Sequence, residues 1–417
     1  MSEGLSAARQ RDLLIATTAS AVITDATLLP FFPKLFATAF GVEDPRHVGL
    51  YLAATCLTVM LALPVWARLE RRWSTLQLLV VGQLGAGGLA IASHLTTELW
   101  SFWACTLTMI VFKASYLLVY PYVMRLVPKA SHAGVIGLLT VIVHLGGILG
   151  ATLGGWVLEH HDPRAAYLVM AAGDFLQMGV SVYLLRRGAR APSPEPAHEG
   201  VPEVVEASAD DPAPALPPIP QRLSPLVRLG LLMAVVYFSA FITRPFFVEY
   251  WGTRSSLDGE LVSGWVFAIP ALASLVALGV QHMGWSRPGS LYKWLALIAL
   301  GVAIQATPLP AAIVVGRFIY GWAAFRGLVD LDLALFEISP PERYAEDYSH
   351  MNLCQQGGVL IAFWIAGLAV NAGGLVQPLW IALGGFVVGA GVFAAYGSRF
   401  VAAAPSEGKA PEEVAPC

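Results

Sequence analysis

The chain has 417 residues, of which 56 % are hydrophobic and only 13 % charged, with a formal net charge of −3 and a mean hydropathy of +0.64. A soluble protein carries about 25 % charged residues, so lipid is the expected solvent for most of this sequence. The slightly acidic balance offers nothing to attract nucleic acid, and Cys56, Cys105, Cys354 and Cys417, without C-x-x-C spacing, suggest neither a disulfide framework nor a zinc site.

A membrane-spanning helix needs roughly 20 mostly apolar residues. Apolar runs between polar breaks predict spans at 13–40, 48–67, 75–94, 99–124, 132–157 and 164–186, then at 224–251, 260–281, 290–307, 311–336, 346–370 and 376–398. The first run follows Arg9 and Arg11, is too long for a signal-peptide core and contains Asp25, so it reads as a retained helix. Between the two sets, residues 188–222 are crowded with proline (Pro192, Pro194, Pro196, Pro202, Pro212, Pro214, Pro217, Pro218, Pro220) and lack apolar periodicity, which predicts a disordered linker. The tail at 404–417 has the same character. The expected fold is an all-α membrane protein of twelve transmembrane helices, arranged as two pseudo-symmetric six-helix bundles at 1–187 and 223–403.

Lysine and arginine fall mostly on one side of this topology. Arg68, Arg71, Arg72, Arg125, Lys129, Arg186, Arg187, Arg222, Arg228, Arg287, Lys293 and Arg343 lie there, against Arg46, Arg164 and Arg254 on the other. The positive-inside rule then places both termini and the linker in the cytoplasm. The halves also repeat. Pro30-Phe31-Phe32 returns as Pro245-Phe246-Phe247, and the same offset carries Gly49 and Ala53 onto Gly264 and Ala268. Phe112-Lys113 matches Phe325-Arg326, and Gly146-Gly147 matches Gly357-Gly358. Shared order and near-constant offset point to a duplicated six-helix unit.

In the fifth span, the run from Gly146 to Gly155 is similar to the G-P-x-x-G-G motif of exporters of the major facilitator superfamily, with Ala151 in the proline position. Asp162-Pro163-Arg164-Ala165-Ala166-Tyr167 resembles that family's W-R-x-x-F entry to the sixth helix, without the tryptophan. The segment Trp66 to Trp73 resembles its G-x-x-x-D-R-x-G loop, with Glu70 and Arg71 in the acid-base positions and tryptophans where the family has glycines. The resemblance implies that helices one, four, seven and ten line a central cavity. It also implies that Gly146, Gly147, Gly150, Gly154 and Gly155 pack one bundle against the other; small residues at helical spacing allow such close approach in any case.

A charge at mid-bilayer costs roughly 2.5–3.5 kcal/mol on insertion scales and usually faces a cavity or a partner. Asp25 lies in the first span, Lys113 in the fourth, Arg244 and Glu249 in the seventh, and Arg326 and Asp330 in the tenth. Asp25 is the proton-coupling candidate, since a lone carboxyl in a dehydrated cavity can load and release a proton near neutral pH. The competing reading is a permanent salt bridge from Asp25 to Lys113 or Arg326. Lys113 and Arg326, at matching repeat positions, suit an anionic or oxygen-rich substrate, although Arg326 and Asp330 share a helical face and could neutralise each other. Tyr116, Tyr237, Gln355 and Gln356 are the polar and aromatic pocket candidates. Lys34 and Glu249, equivalent in the repeat and opposite in sign, are expected to meet at an outer gate near Arg244. Arg317 reads as a snorkelling or loop contact, Asp332 is left unassigned, and Asp174, Gln177 and His144 read as helix packing.

No G-x-S-x-G, P-loop or HExxH occurs, so neither catalytic residues, a metal, nor a cofactor is expected. The reading that follows is a secondary active transporter of a small organic molecule, monomeric, in a bacterial inner membrane, with proton-coupled export of a drug-, siderophore- or metabolite-like cargo. Proton-coupled uptake of an anionic nutrient, and a non-transporting receptor or scaffold, remain the alternatives.

Overall fold

Capping side chains and prolines set where the helices begin and where they break. The computed structural model describes residues 6–128, 131–188, 224–257, 259–283, 290–339 and 344–401; the expected linker beyond Gly188 and the expected tail lie outside these residues. Helix α1 (Ala7–Asp25) starts at Ser6, whose hydroxyl accepts from the Arg9 N–H. A 3-10 turn, Leu29–Phe31, separates it from α2 (Phe32–Phe40). Pro30 and Pro33 have no N–H to continue the ladder, so a run expected as one helix is broken. Helix α3 (Pro45–Leu69) opens on Asp44 as cap with proline at its first position, and α4 (Thr75–Leu95) on a capping box between Ser74 and Gln77. Helix α5 (Leu99–Lys113) gives way to a 3-10 turn, Ala114–Leu118, before α6 (Val119–Arg125). Pro121 in α6 cannot donate to the preceding turn, which tightens there. Helices α7 (His132–His160) and α8 (Ala166–Arg186) complete the first half.

The second half follows the same plan. Helix α9 (Pro225–Phe241) breaks before Pro245, and α10 (Phe247–Gly252) continues it, the equivalent of the break at Pro30. Then come α11 (Glu260–His282), α12 (Leu291–Gln305), α13 (Pro310–Ile338), α14 (Tyr344–Gly373) and α15 (Gln377–Val401). Among the described residues ten stretches are long and apolar enough to cross a membrane, and Pro225–Phe241 and Leu291–Gln305 are shorter apolar helices. No strand occurs among the described residues. A helix satisfies its own backbone polar groups, the requirement that hydrocarbon imposes. Leu61, Leu95, Trp100, Leu272 and Trp380 are exposed on the outer surface, as lipid-facing side chains are.

Within the first half α1 packs on α7 and α8, and α4 on α5 and α8; in the second, α9 packs on α14 and α15, and α12 on α13 and α15. The halves meet along α7 with α11 and α3 with α14. Glycines set these distances. A Cβ on Gly49 would lie 2.7 Å from the Phe363 carbonyl, and one on Gly264 2.5 Å from the Ala151 carbonyl. Four of the five glycines in the 146–155 run of α7 divide between two surfaces. Gly146, Gly150 and Gly154, spaced four apart, press on Val22, Ile23, Ala26 and Thr27 of the same half, and Gly155 meets Glu260 and Leu261 of the other. Gly147 has open space beside it. The stripe therefore seats α1 as much as it joins the halves, because the fourfold spacing keeps one helix face toward α1.

A Cβ on Gly154 would stand 2.0 Å from the Thr27 carbonyl oxygen, which is backbone and cannot move aside cheaply. Gly154→Ala is expected to cost about 1–3 kcal/mol of stability, seen as a lower thermal midpoint in detergent. Gly147→Ala is expected to leave the midpoint unchanged. Equal midpoints for the two variants would show that α1 does not bear on α7 at this point.

Candidate functional site

Helix α1 ends at Asp25, just before the Pro30 break, and α5 ends at Lys113, just before its 3-10 turn. Both side chains therefore sit where the ladder is interrupted inside the membrane. The cation suits a helix C-terminus; the carboxylate does not. Gly173 brings α8 onto Thr24 of α1, where a Cβ would lie 2.5 Å from the Thr24 hydroxyl, and this sets Asp174 beside Asp25. The Lys113 ammonium lies 2.6 Å from Asp25 Oδ1 and 2.9 Å from Asp174 Oδ1. Side-chain exposure is 8 % for Lys113, 27 % for Asp25 and 0 % for Asp174. These contacts are ion pairs in distance but are not aligned as hydrogen bonds, and both Asp174 oxygens lack a hydrogen-bond donor. The Gln177 amide, one turn further along α8, is also buried without a partner. Tyr116 lies within electrostatic reach of all three charges.

One ammonium between two carboxylates leaves a net charge of −1 when all three groups are ionised. In a low-dielectric setting that charge is costly. A single proton taken from water neutralises the cluster. The Asp25–Lys113 pairing was one of the readings of the sequence. Asp174, read as packing, is a correction: it is the buried arm of the triad. The signal was present, since a carboxyl inside an apolar span carries the same desolvation cost wherever it falls.

The other sequence candidates take separate places. Lys34 pairs with Glu260 at the start of α11, across the two halves, and Glu249 is an electrostatic neighbour of that carboxylate. The partner of Lys34 is thus Glu260 and not Glu249, because it is Glu260, at the head of α11, that stands within ion-pair distance of the ammonium. Glu159 reinforces the same end, accepting from the Leu261 N–H at 3.3 Å. Arg326 donates to Gln281 Oε1 at 2.9 Å and stands over the Trp294 ring, both in its own half. The Asp330 Oδ2 atom is buried without a hydrogen-bond partner. Arg244 stacks on Phe241 at 3.7 Å from the ring centroid, and Phe241 stacks on Tyr237. Gln355 stands between Asp332 and Met233, and the Gln356 carbonyl lies 3.9 Å from Cys56 Sγ of the first half. Arg317 is buried, not snorkelling. Its Nε donates to the Val266 carbonyl at 3.3 Å, which Pro270 four residues later leaves without a helical donor, and Nη2 donates to the Phe267 carbonyl. At the loop after α3, Glu70 pairs with Arg125 and accepts from Thr75 at 2.7 Å, and Trp66 donates to the Val111 carbonyl at 2.6 Å. Among the described residues no three His, Cys, Asp or Glu side chains form a metal-holding group.

Apolar helices of membrane length, broken at prolines and carrying ion-paired charges between them, define a polytopic membrane protein. A model of the Major Facilitator Superfamily matches residues 14–303, and the chain belongs to that family. It is a transporter rather than an enzyme. Similar solved structures include the POT-family transporter PepTSo, at TM-score 0.75 and 11 % identity over 94 % of this chain and 98 % of that one. A bacterial homolog of the human lysosomal transporter Spinster, in an inward-facing and occupied conformation, gives TM-score 0.69 and 14 % identity over 97 % of this chain and 100 % of that one. The nucleoside transporter NupG gives TM-score 0.70 and 11 % identity over 93 % and 99 %. At such identities the likeness is one of fold. No curated protein sequence matches the chain.

Lys113→Met strands two carboxylates, one of them fully buried, and is expected to cost about 3–5 kcal/mol. The deficit in thermal midpoint is expected to shrink as the pH is lowered, because protons then neutralise the stranded groups. Adding Asp174→Asn to Lys113→Met is expected to restore part of the lost stability. A pH-independent deficit would show that the triad is not an electrostatic unit.

Proposed function

We propose that the chain is a proton-coupled secondary active transporter that moves a small organic molecule by alternating access, with Asp25, Lys113 and Asp174 as the proton-loading group. The observation that carries this reading is the uneven charge of the triad, two carboxylates on one ammonium at 2.6 and 2.9 Å. Such a cluster takes up one proton to become neutral, and it joins α1, α5 and α8 within the bundle that alternating access would rock against the other. Asp25, the more exposed arm, would exchange protons with the cavity, while Asp174 holds Lys113 when Asp25 is neutral.

In this proposal the twelve helices form two six-helix bundles, 1–187 and 223–403, joined by a cytoplasmic linker, in a bacterial inner membrane with both termini cytoplasmic. The contacts of Lys34 with Glu260, Gly49 with Phe363 and Gly155 with Glu260 all lie at the end assigned to the outside. Their grouping supports an arrangement closed outside and able to open inside. Export is the favoured direction, supported by the likeness of Gly146–Gly155 to the exporter motif.

Metabolite profiling of a deletion strain against wild type, inside and outside the cell, identifies the cargo. In everted vesicles that cargo is expected to accumulate in a manner abolished by an uncoupler. Asp25→Asn and Asp174→Asn are expected to lose at least about tenfold of this accumulation while keeping cargo exchange at equilibrium, since exchange needs no net proton movement. Accumulation that resists the uncoupler, or that both variants retain, would overturn the coupling role.

A further inference from the structure

In the first half Lys113 stands in ion-pair contact with Asp25 and Asp174. In the second half Asp332 and Arg244 flank one helical face without such contacts among the described residues. Helix α9 and the turn after it carry Met233, Tyr237, Phe241 and Arg244, spaced four, four and three residues apart and so on one helical face. The Arg244 guanidinium lies 3.7 Å above the Phe241 ring. Phe241 stacks on Tyr237 with centroids 6.2 Å apart and planes at 11°, and meets Phe363 of α14 edge-on at 6.1 Å. At the other end of the face, Gln355 Nε2 stands 3.5 Å from Met233 Sδ and 3.5 Å from Asp332 Oδ1. Tyr237 is the electrostatic neighbour of both Asp332 and Arg244.

Neither charge has an ion-pair partner among the described residues. Asp332 has a neutral amide beside it, and Arg244 has an aromatic face. Arg317, an electrostatic neighbour of Arg244, is held by carbonyls and adds positive potential to the same end. A charge kept inside a membrane protein without a partner is most economically explained by a ligand that supplies one. From Met233 to Arg244 the face runs over roughly 16 Å at the rise of a helix, with the Asp332 carboxylate of α13 near one end beyond Gln355, the aromatic rings along it and the guanidinium at the other end. Tyr348, half exposed and an electrostatic neighbour of Asp332, adds a second aromatic ring near the acidic end, where an ammonium gains from cation–π contact.

We propose that this face binds an extended zwitterion, an organic molecule with an amine at one end, a carboxylate at the other and an apolar or aromatic middle. Asp332 takes the ammonium, Arg244 takes the carboxylate, and Tyr237 and Phe241 carry the middle. The proposal rests on the transport reading above and names the cargo class for it. A guanidinium presents two parallel N–H groups to a carboxylate, the geometry that a point charge such as lysine lacks.

The test is equilibrium binding to the purified full-length protein in detergent, with ω-aminooctanoate, octanoate and octylamine as probes. The zwitterion is expected to bind at least about tenfold more tightly than either singly charged analogue. Asp332→Asn is expected to abolish the advantage over octanoate, and Arg244→Gln the advantage over octylamine, with each variant's thermal midpoint confirming that it is folded. Comparing the three probes on the unaltered protein decides the matter even if a variant fails to fold. No binding of ω-aminooctanoate, or binding no tighter than the analogues, overturns the proposal. The assay needs no proton gradient, so that result leaves the coupling role of the triad standing, whereas intact binding with uncoupled transport would remove the coupling role alone.

Discussion

The structure depends on one ammonium held between two carboxylates in a place where water is scarce. Lys113 cannot enter a bilayer uncompensated, and neither can Asp174, whose side chain is wholly buried. Pairing them ties α5 to α8, and the contact of Lys113 with Asp25 ties both to α1. Three helices are thus fixed by charge where lipid supplies no hydrophobic drive to hold helices together. The close seating of α1 on α7 at Gly150 and Gly154, and on α8 at Gly173, is what makes the ion-pair distances attainable.

The two halves share a frame and differ in their charges. Pro30 and Pro245 break equivalent helices at equivalent points, and glycine contacts join α3 to α14 and α7 to α11. Lys113 and Arg326 then diverge. The first is caught between carboxylates, and the second turns to the amide of Gln281 and the ring of Trp294. The two halves break their helices alike, while each side chain answers to its own neighbours. A repeat position therefore predicts where a residue stands better than it predicts what the residue touches.

That distinction also explains what could be read from the sequence. Apolar length locates the helices because hydrocarbon thickness imposes it, and the family follows from helix number, the repeat and the glycine run. The interior breaks of α1, α5 and α9 were less legible, although Pro30, Pro121 and Pro245 stood in plain view, because a proline inside a hydrophobic run can kink a helix or end it. Asp25 and Lys113 were recognisable as costly charges. Asp174 was passed over because the resemblance places its helix outside the cavity-lining set. Arg317 looked interfacial until Pro270, on another helix, was seen to leave a carbonyl free for it. The pairing of Lys34 with Glu260 needs the turn geometry before α11, which the repeat alone does not encode.

Asp25 and Lys34 belong to one short piece of chain, the end of α1 and the start of α2, with the Pro30 turn between them. One end of that piece answers to Lys113 and Asp174 inside the first half, and the other answers to Glu260 across the halves. A rigid continuous helix would carry a displacement at one contact directly to the other. A 3-10 turn at Pro30, with Pro33 opening the helix after it, lets the segments take separate directions while Phe31, fully buried, keeps them anchored. The contact of Asp25 inside the first half and the contact of Lys34 across the halves are therefore made by two separately oriented segments of one stretch of backbone, and the break at Pro30 is what allows one piece of chain to satisfy both.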